Sequence, residues 1–252
     1  MSGQRAHAAR RAARRGLDQH FLRSNQLAAE LVRGAGLTRD DLVLEIGAGS
    51  GRLTELARVV SHVLAVEVDP FWAQRLSGRF EGDARVTVHA GDAFEVALPT
   101  EPFCVVANLP FGQTTTFLHH LLDNPRIPLR RADLVVEWGS ALKRAAVWPS
   151  TLLGASWGAW WTFRIDRRLS ATCFDPPPSV DAALLVVARR DMPLVPPAEH
   201  SAYHAFVRRG FDHGLRAVAP ARHVRRIARR AAPRDLDAHQ WAALFGSVRG
   251  TR

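Results

Sequence analysis

The chain has 252 residues, 47% of them hydrophobic, and a formal net charge of +10, a composition that excludes a disordered chain and favours a polyanionic partner. The longest apolar run, residues 182–188, is too short to cross a bilayer, and the arginine-rich first segment lacks the apolar stretch of a secretory signal. Cys104 and Cys173 make no disulfide framework and the histidines no metal-binding motif, so we expect a cytoplasmic monomer with no membrane segment and no metal ion.

The first predicted element is a basic, flexible arm over residues 1–16. This segment carries five arginines and no acidic residue. A helix is predicted next, over residues 25–36, because Leu27, Leu31 and Ala35 share one helical face and two glycines follow near its end.

From residue 42 to residue 138, short apolar runs alternate with helical patterns. The predicted strands are residues 42–46, 63–68, 86–89, 103–107 and 133–138, and the predicted helices begin near Ser50, Pro70, Thr114 and Ser140. This alternation is typical of a parallel sheet covered by helices on both faces. Two later strands, residues 160–165 and 182–187, are expected to close the sheet as an antiparallel pair. The predicted fold class is therefore α/β, with a Rossmann-like domain over residues 17–190.

A smaller all-helical domain is predicted over residues 191–252. Three prolines near its start form a linker, and helical patterns follow over residues 199–211, 220–231 and 237–245. Residues 204–234 carry nine arginines against one acidic residue, Asp212. A GC-rich genome also raises arginine content, but the concentration in two segments favours a nucleic-acid surface. The arginines expected to contact phosphates are Arg10, Arg11, Arg14, Arg15, Arg208, Arg209, Arg225, Arg226 and Arg229.

The segment 45–51, EIGAGSG, predicts a cofactor-binding turn between a strand and a helix. By itself this glycine pattern also fits a dinucleotide site or a plain tight turn. Glu45 would repel a pyrophosphate but suit a cationic ligand, and Glu67 ends the next strand, where a carboxylate accepts hydrogen bonds from ribose hydroxyls. Asp92 follows the third strand and either accepts a bond from an adenine amine or caps a helix. Together these acids predict S-adenosylmethionine (SAM) as the cofactor.

The segment 108–111, NLPF, predicts a socket for a flat base that carries an amino group. The side-chain oxygen of Asn108 and the backbone carbonyl of Leu109 would accept hydrogen bonds from the target amine. Pro110 stiffens the turn, and Phe111 would stack on the base. The reaction needs no strong base, because the amine loses its proton easily once it carries the new methyl group.

Together these motifs resemble the ribosomal RNA adenine N6-methyltransferases, which include macrolide-resistance methylases and small-subunit dimethyladenosine transferases. The similarity covers about residues 17–190 and, more loosely, the tail. It is carried by the segments 18–22, 45–51, 67–69, 91–93 and 108–111, and by residues 174–180, which match the family pattern FxPxPxV. The family often has Asn where His20 stands.

The resemblance implies roles for individual residues. The cofactor would be bound by His20, Leu22, Gly47, Gly49, Glu67, Asp92, Ala93 and Asn108, and the target adenine by Asn108, Leu109, Pro110, Phe111 and Phe174. Phe174 is alternatively an ordinary core aromatic. The compact tail, the basic arm and the NLPFG form are most similar to the large-subunit (23S) macrolide-resistance methylases, so 23S ribosomal RNA is the expected partner and residues 191–252 the expected RNA-binding domain.

Three other interpretations stay open. A small-subunit dimethyladenosine transferase of ribosome biogenesis is the main alternative. A DNA adenine methylase is disfavoured by the NLPF form and by the lack of a large target-recognition region. A non-enzymatic RNA-binding relative is disfavoured because Glu67, Asp92, Asn108 and Phe111 are all present.

Overall fold

The computed structural model describes residues 20–55, 59–148, 150–227 and 232–249. The strands are β1 (Phe21–Leu22), β2 (Leu42–Ile46), β3 (His62–Glu67), β4 (Val86–Ala90), β5 (Phe103–Asn108), β6 (Leu129–Glu137), β7 (Trp161–Leu169), β8 (Phe174–Asp175) and β9 (Ala182–Arg189). The helices are α1 (Asn25–Gly34), α2 (Pro70–Arg79), α3 (Thr114–Leu122), α4 (Trp138–Ala145), α5 (Leu152–Trp157), α6 (His200–His213), α7 (Ala221–Ile227) and α8 (Ala238–Arg249).

Seven strands form the main sheet in the order β4–β3–β2–β5–β6–β9–β7. The first five are parallel, and β9 runs antiparallel to both β6 and β7. Short apolar strands such as β5, in which Phe103 to Ala107 are all buried, suit a sheet covered on both faces. The predicted α/β class, with a Rossmann-like sheet and a closing antiparallel pair, is confirmed.

The chain reverses its direction of travel across the sheet between β2 and β5. From β2 it proceeds outward to β3 and β4, and then it crosses back to place β5 on the other side of β2. Open α/β sheets bind ligands at such a switch point, beyond the carboxyl ends of the strands. The glycine-rich turn after β2 and Asn108 at the end of β5 therefore lie at the same place.

A two-stranded ribbon connects distant parts of the chain above this edge. β1 pairs with β8 in antiparallel register, Phe21 opposite Asp175 and Leu22 opposite Phe174. The Arg23 amide also donates to the Cys173 carbonyl, at 2.8 Å. The ribbon thus joins the segment before α1 to the FDPPP loop.

The α-helix predicted to begin near Ser50 is wrong for the residues described. Residues 50–55 form turns that end in a short 3₁₀ segment, and residues 56–58 lie outside the described residues. Gly47, Gly49 and Gly51 have φ values of 70°, 53° and 78°. A residue with positive φ cannot belong to a right-handed α-helix, so Gly51 prevents a helix from beginning at Ser50.

All described helices after residue 190 pack against the sheet domain through one continuous core. Trp157, Trp160, Tyr203 and Trp241 are each at most 1% exposed and belong to this core. The Trp160 indole donates to the Val195 carbonyl at 2.7 Å, and the Tyr203 hydroxyl donates to the Ala155 carbonyl at 3.1 Å. The predicted helical tail is therefore present, although its separation as a domain at residue 191 stays a prediction.

Within the described ranges, no helix is long and apolar enough to cross a membrane. The same part of the chain contains no cluster of three or more His, Cys, Asp or Glu side chains placed to hold a metal ion.

Candidate active site

The glycine-rich turn is held tightly against the neighbouring strand. The backbone amides of Gly47 and Ala48 donate to the Val66 carbonyl at 2.9 and 3.1 Å. A Cβ atom at Gly49 would lie only 2.5 Å from the Phe21 ring, which crosses the turn. Only glycine fits there, because the missing Cβ makes room for the Phe21 ring beside the switch point.

Glu67 anchors this turn from the end of β3. Its carboxylate accepts a hydrogen bond from the Gly49 amide at 2.7 Å and another from the Asp69 amide at 2.8 Å. The side chain is only 2% exposed, and burial raises its pKa. Each oxygen keeps a second lone pair for a ligand hydroxyl.

Glu45 is a buried carboxyl without a hydrogen-bond partner. It is 1% exposed, and neither oxygen accepts a hydrogen bond from any described residue. Burial, reinforced by the nearby Glu67, raises its pKa to about 8; Thr54 opposes this shift, although its hydroxyl does not reach hydrogen-bonding geometry. A cation brought to this position would recover the lost stabilisation of the carboxylate.

Asn108 is held in one orientation by the backbone in front of it. Its Nδ2 donates to the His20 carbonyl at 2.6 Å. The opposite orientation would place Oδ1 against that carbonyl, two acceptors in contact, so Oδ1 must face away. Oδ1 is buried and has no hydrogen-bond partner among the described residues. The site therefore presents a fixed, vacant acceptor, which a buried amide retains only at a cost of about 1–3 kcal/mol.

His20 connects the socket to the ribbon. Its Nδ1 lies 2.8 Å from the Pro176 carbonyl, and its ring packs 5.6 Å from that of Phe111. Phe111 in turn meets Phe174 edge-on at 6.3 Å. Sequence reasoning placed these residues in one site but did not foresee that the His20 backbone orients Asn108.

Two predicted side chains are turned away from the ligand space. Phe174 is fully buried, which favours the alternative reading of a core aromatic that supports Phe111 from behind. Leu22 is 4% exposed and packs in the core on the β1 side. Leu109 is buried as well, and its amide donates to the Val135 carbonyl, which leaves the backbone of residues 108–110 at the surface of the socket.

Asp92 is exposed and caps its own turn. Its Oδ1 accepts a hydrogen bond from the Phe94 amide at 3.0 Å, so the capping role weighed from the sequence is present. Ala93 is half-buried beside it. Val68, which was not among the predicted site residues, is 52% exposed directly after Glu67 at the end of β3.

Four exposed arginines of the tail differ from Arg249, which pairs with Glu199, and from several arginines of the sheet domain. Arg208, Arg209, Arg225 and Arg226 are exposed, and none of them makes an ion pair with a described residue. In the sheet domain several arginines are paired: Arg79 with Glu55, Arg85 with Asp83, Arg130 with Asp41, and Arg131 with Asp133. Arg10, Arg11, Arg14, Arg15 and Arg229 lie outside the described residues.

Comparison with known proteins agrees with this geometry. The chain is 36% identical to an rRNA methyltransferase of Streptomyces thermotolerans, over 98% of this chain and 86% of the relative. It is also 36% identical to the mycinamicin-resistance protein MyrB of Micromonospora griseorubida, over 94% and 80%. The crystal structure of the 23S rRNA methyltransferase ErmE superposes with a TM-score of 0.78 and 27% identity, over 90% of this chain and 98% of that one.

A Plasmodium falciparum dimethyladenosine transferase shares the fold, with a TM-score of 0.76 at 18% identity over 92% of this chain and 98% of that one. The family model for ribosomal RNA adenine dimethylases matches residues 10–219. The chain therefore belongs to the ribosomal RNA adenine dimethylase family, and it is an rRNA adenine N6-methyltransferase.

Proposed function

We propose that this protein transfers a methyl group from SAM to N6 of one adenine in 23S ribosomal RNA, in the cytoplasm, and thereby protects the ribosome from macrolide-type antibiotics. The observation that carries the chemistry is the buried, unpartnered Oδ1 of Asn108. The choice of 23S rRNA rests on similarity to proteins named as a 23S rRNA methyltransferase and as a mycinamicin-resistance protein.

The residues at the switch point fit SAM. The turn at Gly47 lies next to the Asn108 backbone and carries no side chain that would keep a ligand away. Glu67 offers oxygens to a ribose, and exposed Val68 offers a surface to an adenine ring. Buried Glu45 suits the positive charge of the cofactor better than a pyrophosphate. When bound, SAM supplies a methyl group on a positively charged sulfur, which is open to attack by a nitrogen lone pair.

Asn108 is assigned to the target amine. The lone pair of an adenine amine is delocalised into the ring, so the nitrogen must be drawn toward tetrahedral geometry before it attacks. The vacant Oδ1 accepts one N–H, and the Leu109 carbonyl, which faces no N–H from Pro110, accepts the other. Because the His20 carbonyl already fixes the amide, no reorganisation is needed as the reaction proceeds.

Phe111 is assigned to the target base. Its ring is held by His20 on one side and by Phe174 behind, which keeps it in place for stacking. An adenine reaches this socket only when it is unpaired or turned out of its helix.

The unpaired arginines of the tail, with the arm, are assigned to the RNA backbone. An exposed arginine without an acidic partner is free to bind a phosphate through two hydrogen bonds. This assignment makes residues 191–252 the RNA-binding part of the protein.

The experiment is methyl transfer from labelled SAM to 23S rRNA, 16S rRNA and DNA in parallel, followed by expression in a macrolide-sensitive bacterium. We expect label on one 23S adenine and raised macrolide tolerance, both lost in Asn108→Ala. Label on 16S rRNA without macrolide protection would establish the biogenesis alternative instead.

A further inference from the structure

A second cavity lies at the opposite end of the strands from the active site. The last residue of β7, Leu169, pairs with Ala182, and Ala182 pairs with Glu137 at the carboxyl end of β6. The first residue of β7, Trp161, pairs with Arg189 and so lies at the other end of the sheet. The first residues of β7 are therefore distant from Asn108 along the strand direction. They line a cavity of about 310 Å³, here called the distal cavity, together with the end of α4, helix α5 and the start of α8.

The distal cavity contains a buried guanidinium without an acceptor. Nη1 of Arg144 is buried and meets no hydrogen-bond acceptor among the described residues, and the guanidinium lies over the Trp157 ring, 5.8 Å from its centroid. Burial lowers the pKa of Arg144, because no acidic partner stabilises its charge. The Ser150 hydroxyl, also in the cavity wall, is buried and unpartnered as well.

The charge balance of the wall favours an anion. Arg190 is the second guanidinium in the wall, and its Nε donates to the Gly158 carbonyl at 2.8 Å. The opposing carboxylate is Asp237, and one of its oxygens already accepts the Gln240 amide at 2.8 Å. Two cations against one partly occupied carboxylate leave a positive cavity.

An exposed aromatic side chain stands next to the distal cavity. Trp148 is 61% exposed, and its indole Nε1 donates to the Asp235 carbonyl at 3.2 Å, which fixes the ring. Its neighbour Val147, 53% exposed, belongs to the cavity wall. Trp148 lies in the chain between the cavity-wall residues Val147 and Ser150, so a guanidinium and an exposed ring are offered by the same part of the surface. Single-stranded nucleic acid uses such a pair through a phosphate and a stacked base.

We propose that the distal cavity binds one unpaired nucleotide of the RNA substrate, with its phosphate on Arg144 and Arg190 and its base against Trp148. This inference rests on the proposed function, since it assigns a second contact to the same RNA. The site anchors RNA on the far side of the protein while the target adenine occupies the socket beside Asn108.

The test compares Arg144→Gln and Trp148→Ala with a control, Arg85→Gln, which removes the same charge from an exposed, paired arginine. The probes are a short unstructured RNA and a 23S fragment that the wild type methylates, both followed by fluorescence anisotropy. Both test variants should lose roughly tenfold in affinity. Arg144→Gln alone should also flatten the slope of log K against log salt by about 0.7, the value of one single-strand phosphate contact.

Methyl transfer should show a raised KM for RNA and an unchanged kcat in both variants, and Arg85→Gln should match the wild type. Arg144→Met should unfold at the same or a higher temperature, because it keeps an apolar side chain beside Trp157 and removes a half-buried cation that no described acidic residue pairs with. Trp148→Ala, which changes an exposed ring, keeps the test valid if an Arg144 variant fails to fold.

The proposal is overturned if both test variants bind RNA as Arg85→Gln does. It is also overturned if Arg144→Met melts earlier while RNA binding is unchanged, since Arg144 is then a structural residue. A rise in melting temperature with free AMP, lost in Arg144→Gln but without any change in RNA affinity, would instead make the cavity a mononucleotide site. If the wild type methylates no RNA, the proposed function fails, while the binding result with unstructured RNA still stands.

Discussion

The catalytic edge and the distal cavity differ in the charged or amide group that each leaves without a hydrogen-bond partner. At the catalytic edge these groups are the Glu45 carboxyl and Asn108 Oδ1, with the unpartnered Thr54 hydroxyl beside Glu45. In the distal cavity the group is Nη1 of Arg144, and the Ser150 hydroxyl in the same wall is unpartnered too. Both regions are lined by residues of the same continuous fold, so the difference cannot be ascribed to one poorly packed part of the molecule.

Each buried group without a partner costs about 1–3 kcal/mol, a large fraction of the stability of a domain. Such groups are retained where a bound ligand supplies the missing hydrogen-bond or ionic partner. The carboxyl and amide oxygens beside the switch point suit a cation and an amine, whereas the guanidinium on the far side suits an anion. The comparison thus assigns the cofactor and target amine to one edge and a phosphate to the other.

The largest effect is expected for Asn108→Ala, which removes the vacant acceptor. Turnover should fall by roughly two orders of magnitude or more, the usual loss for a group that stabilises charge at the reacting centre. SAM affinity, measured by calorimetry, should change little. Asn124→Ala is the matched control, because exposed Asn124 caps a turn through the Arg126 amide far from the socket. Near-normal turnover in Asn108→Ala would remove the acceptor from the mechanism.

Glu67→Ala should show the opposite pattern, with SAM bound roughly tenfold or more weakly. The substitution removes the ribose acceptor and also releases the Gly49 and Asp69 amides, so the turn loses its anchor. Calorimetry with SAM measures the affinity, and turnover at saturating SAM should recover most of its normal value. Unchanged affinity would refute the assignment of Glu67 to the cofactor.

The next largest effect is expected for RNA binding by the exposed arginines of the tail. The double variant Arg208→Gln, Arg209→Gln should bind the 23S fragment about tenfold more weakly and flatten the salt slope by about 1.5, as for two lost phosphate contacts. The control is Arg85→Gln, Arg164→Gln, since these exposed arginines are already paired with Asp83 and Asp166. If both double variants lose the same RNA affinity, the loss comes from the lower net charge and not from two specific phosphate contacts.

Local patterns were sufficient for the sheet and for placing the glycine-rich turn and Asn108 at the ends of their strands. β2 occupies the predicted residues 42–46, because five consecutive residues of a buried parallel strand are unmistakable in composition. β6 begins at Leu129, four residues before the prediction, because Arg130 and Arg131 conceal the strand pattern. Arg130 pairs with Asp41, which directly precedes β2, and Arg131 pairs with Asp133 within β6. Because both charges are paired, the strand can contain these two arginines.

Contacts between segments that are distant in the chain could not be predicted from sequence patterns. The ribbon of β1 and β8 pairs residues more than 150 positions apart, and each strand has only two residues, too few for a period. The hydrogen bond from Asn108 to the His20 carbonyl depends on this ribbon, as does the burial of Phe174. The acceptor role of Asn108 was predicted from its motif and stays a prediction, whereas the His20 carbonyl that fixes the amide orientation could not be found from the sequence.

The smallest expected effect concerns the proton on Glu45. In the free protein its pKa is raised from 4.5 to about 8, so the carboxyl is mostly protonated at pH 7. A bound cation stabilises the carboxylate and lowers this pKa, so SAM binding near pH 7 should release a fraction of a proton. SAM affinity should consequently rise with pH up to about pH 8 and then level off. Calorimetry in two buffers of different ionisation enthalpy measures the released proton.

Glu45→Gln is the control, because it keeps the shape of the side chain and cannot ionise. Its SAM affinity should be independent of pH over this range, and its binding should release no proton. The pH dependence of folding stability is a second measure of the Glu45 pKa, and its direction follows from the raised pKa. Between pH 4.5 and about 8 the unfolded chain ionises Glu45 while the folded protein does not, so the wild type should lose stability relative to Glu45→Gln as pH rises, by on the order of a few kcal/mol. A stability difference that stays constant with pH would show that burial does not hold Glu45 protonated in the free protein, and SAM binding would then release no proton from it.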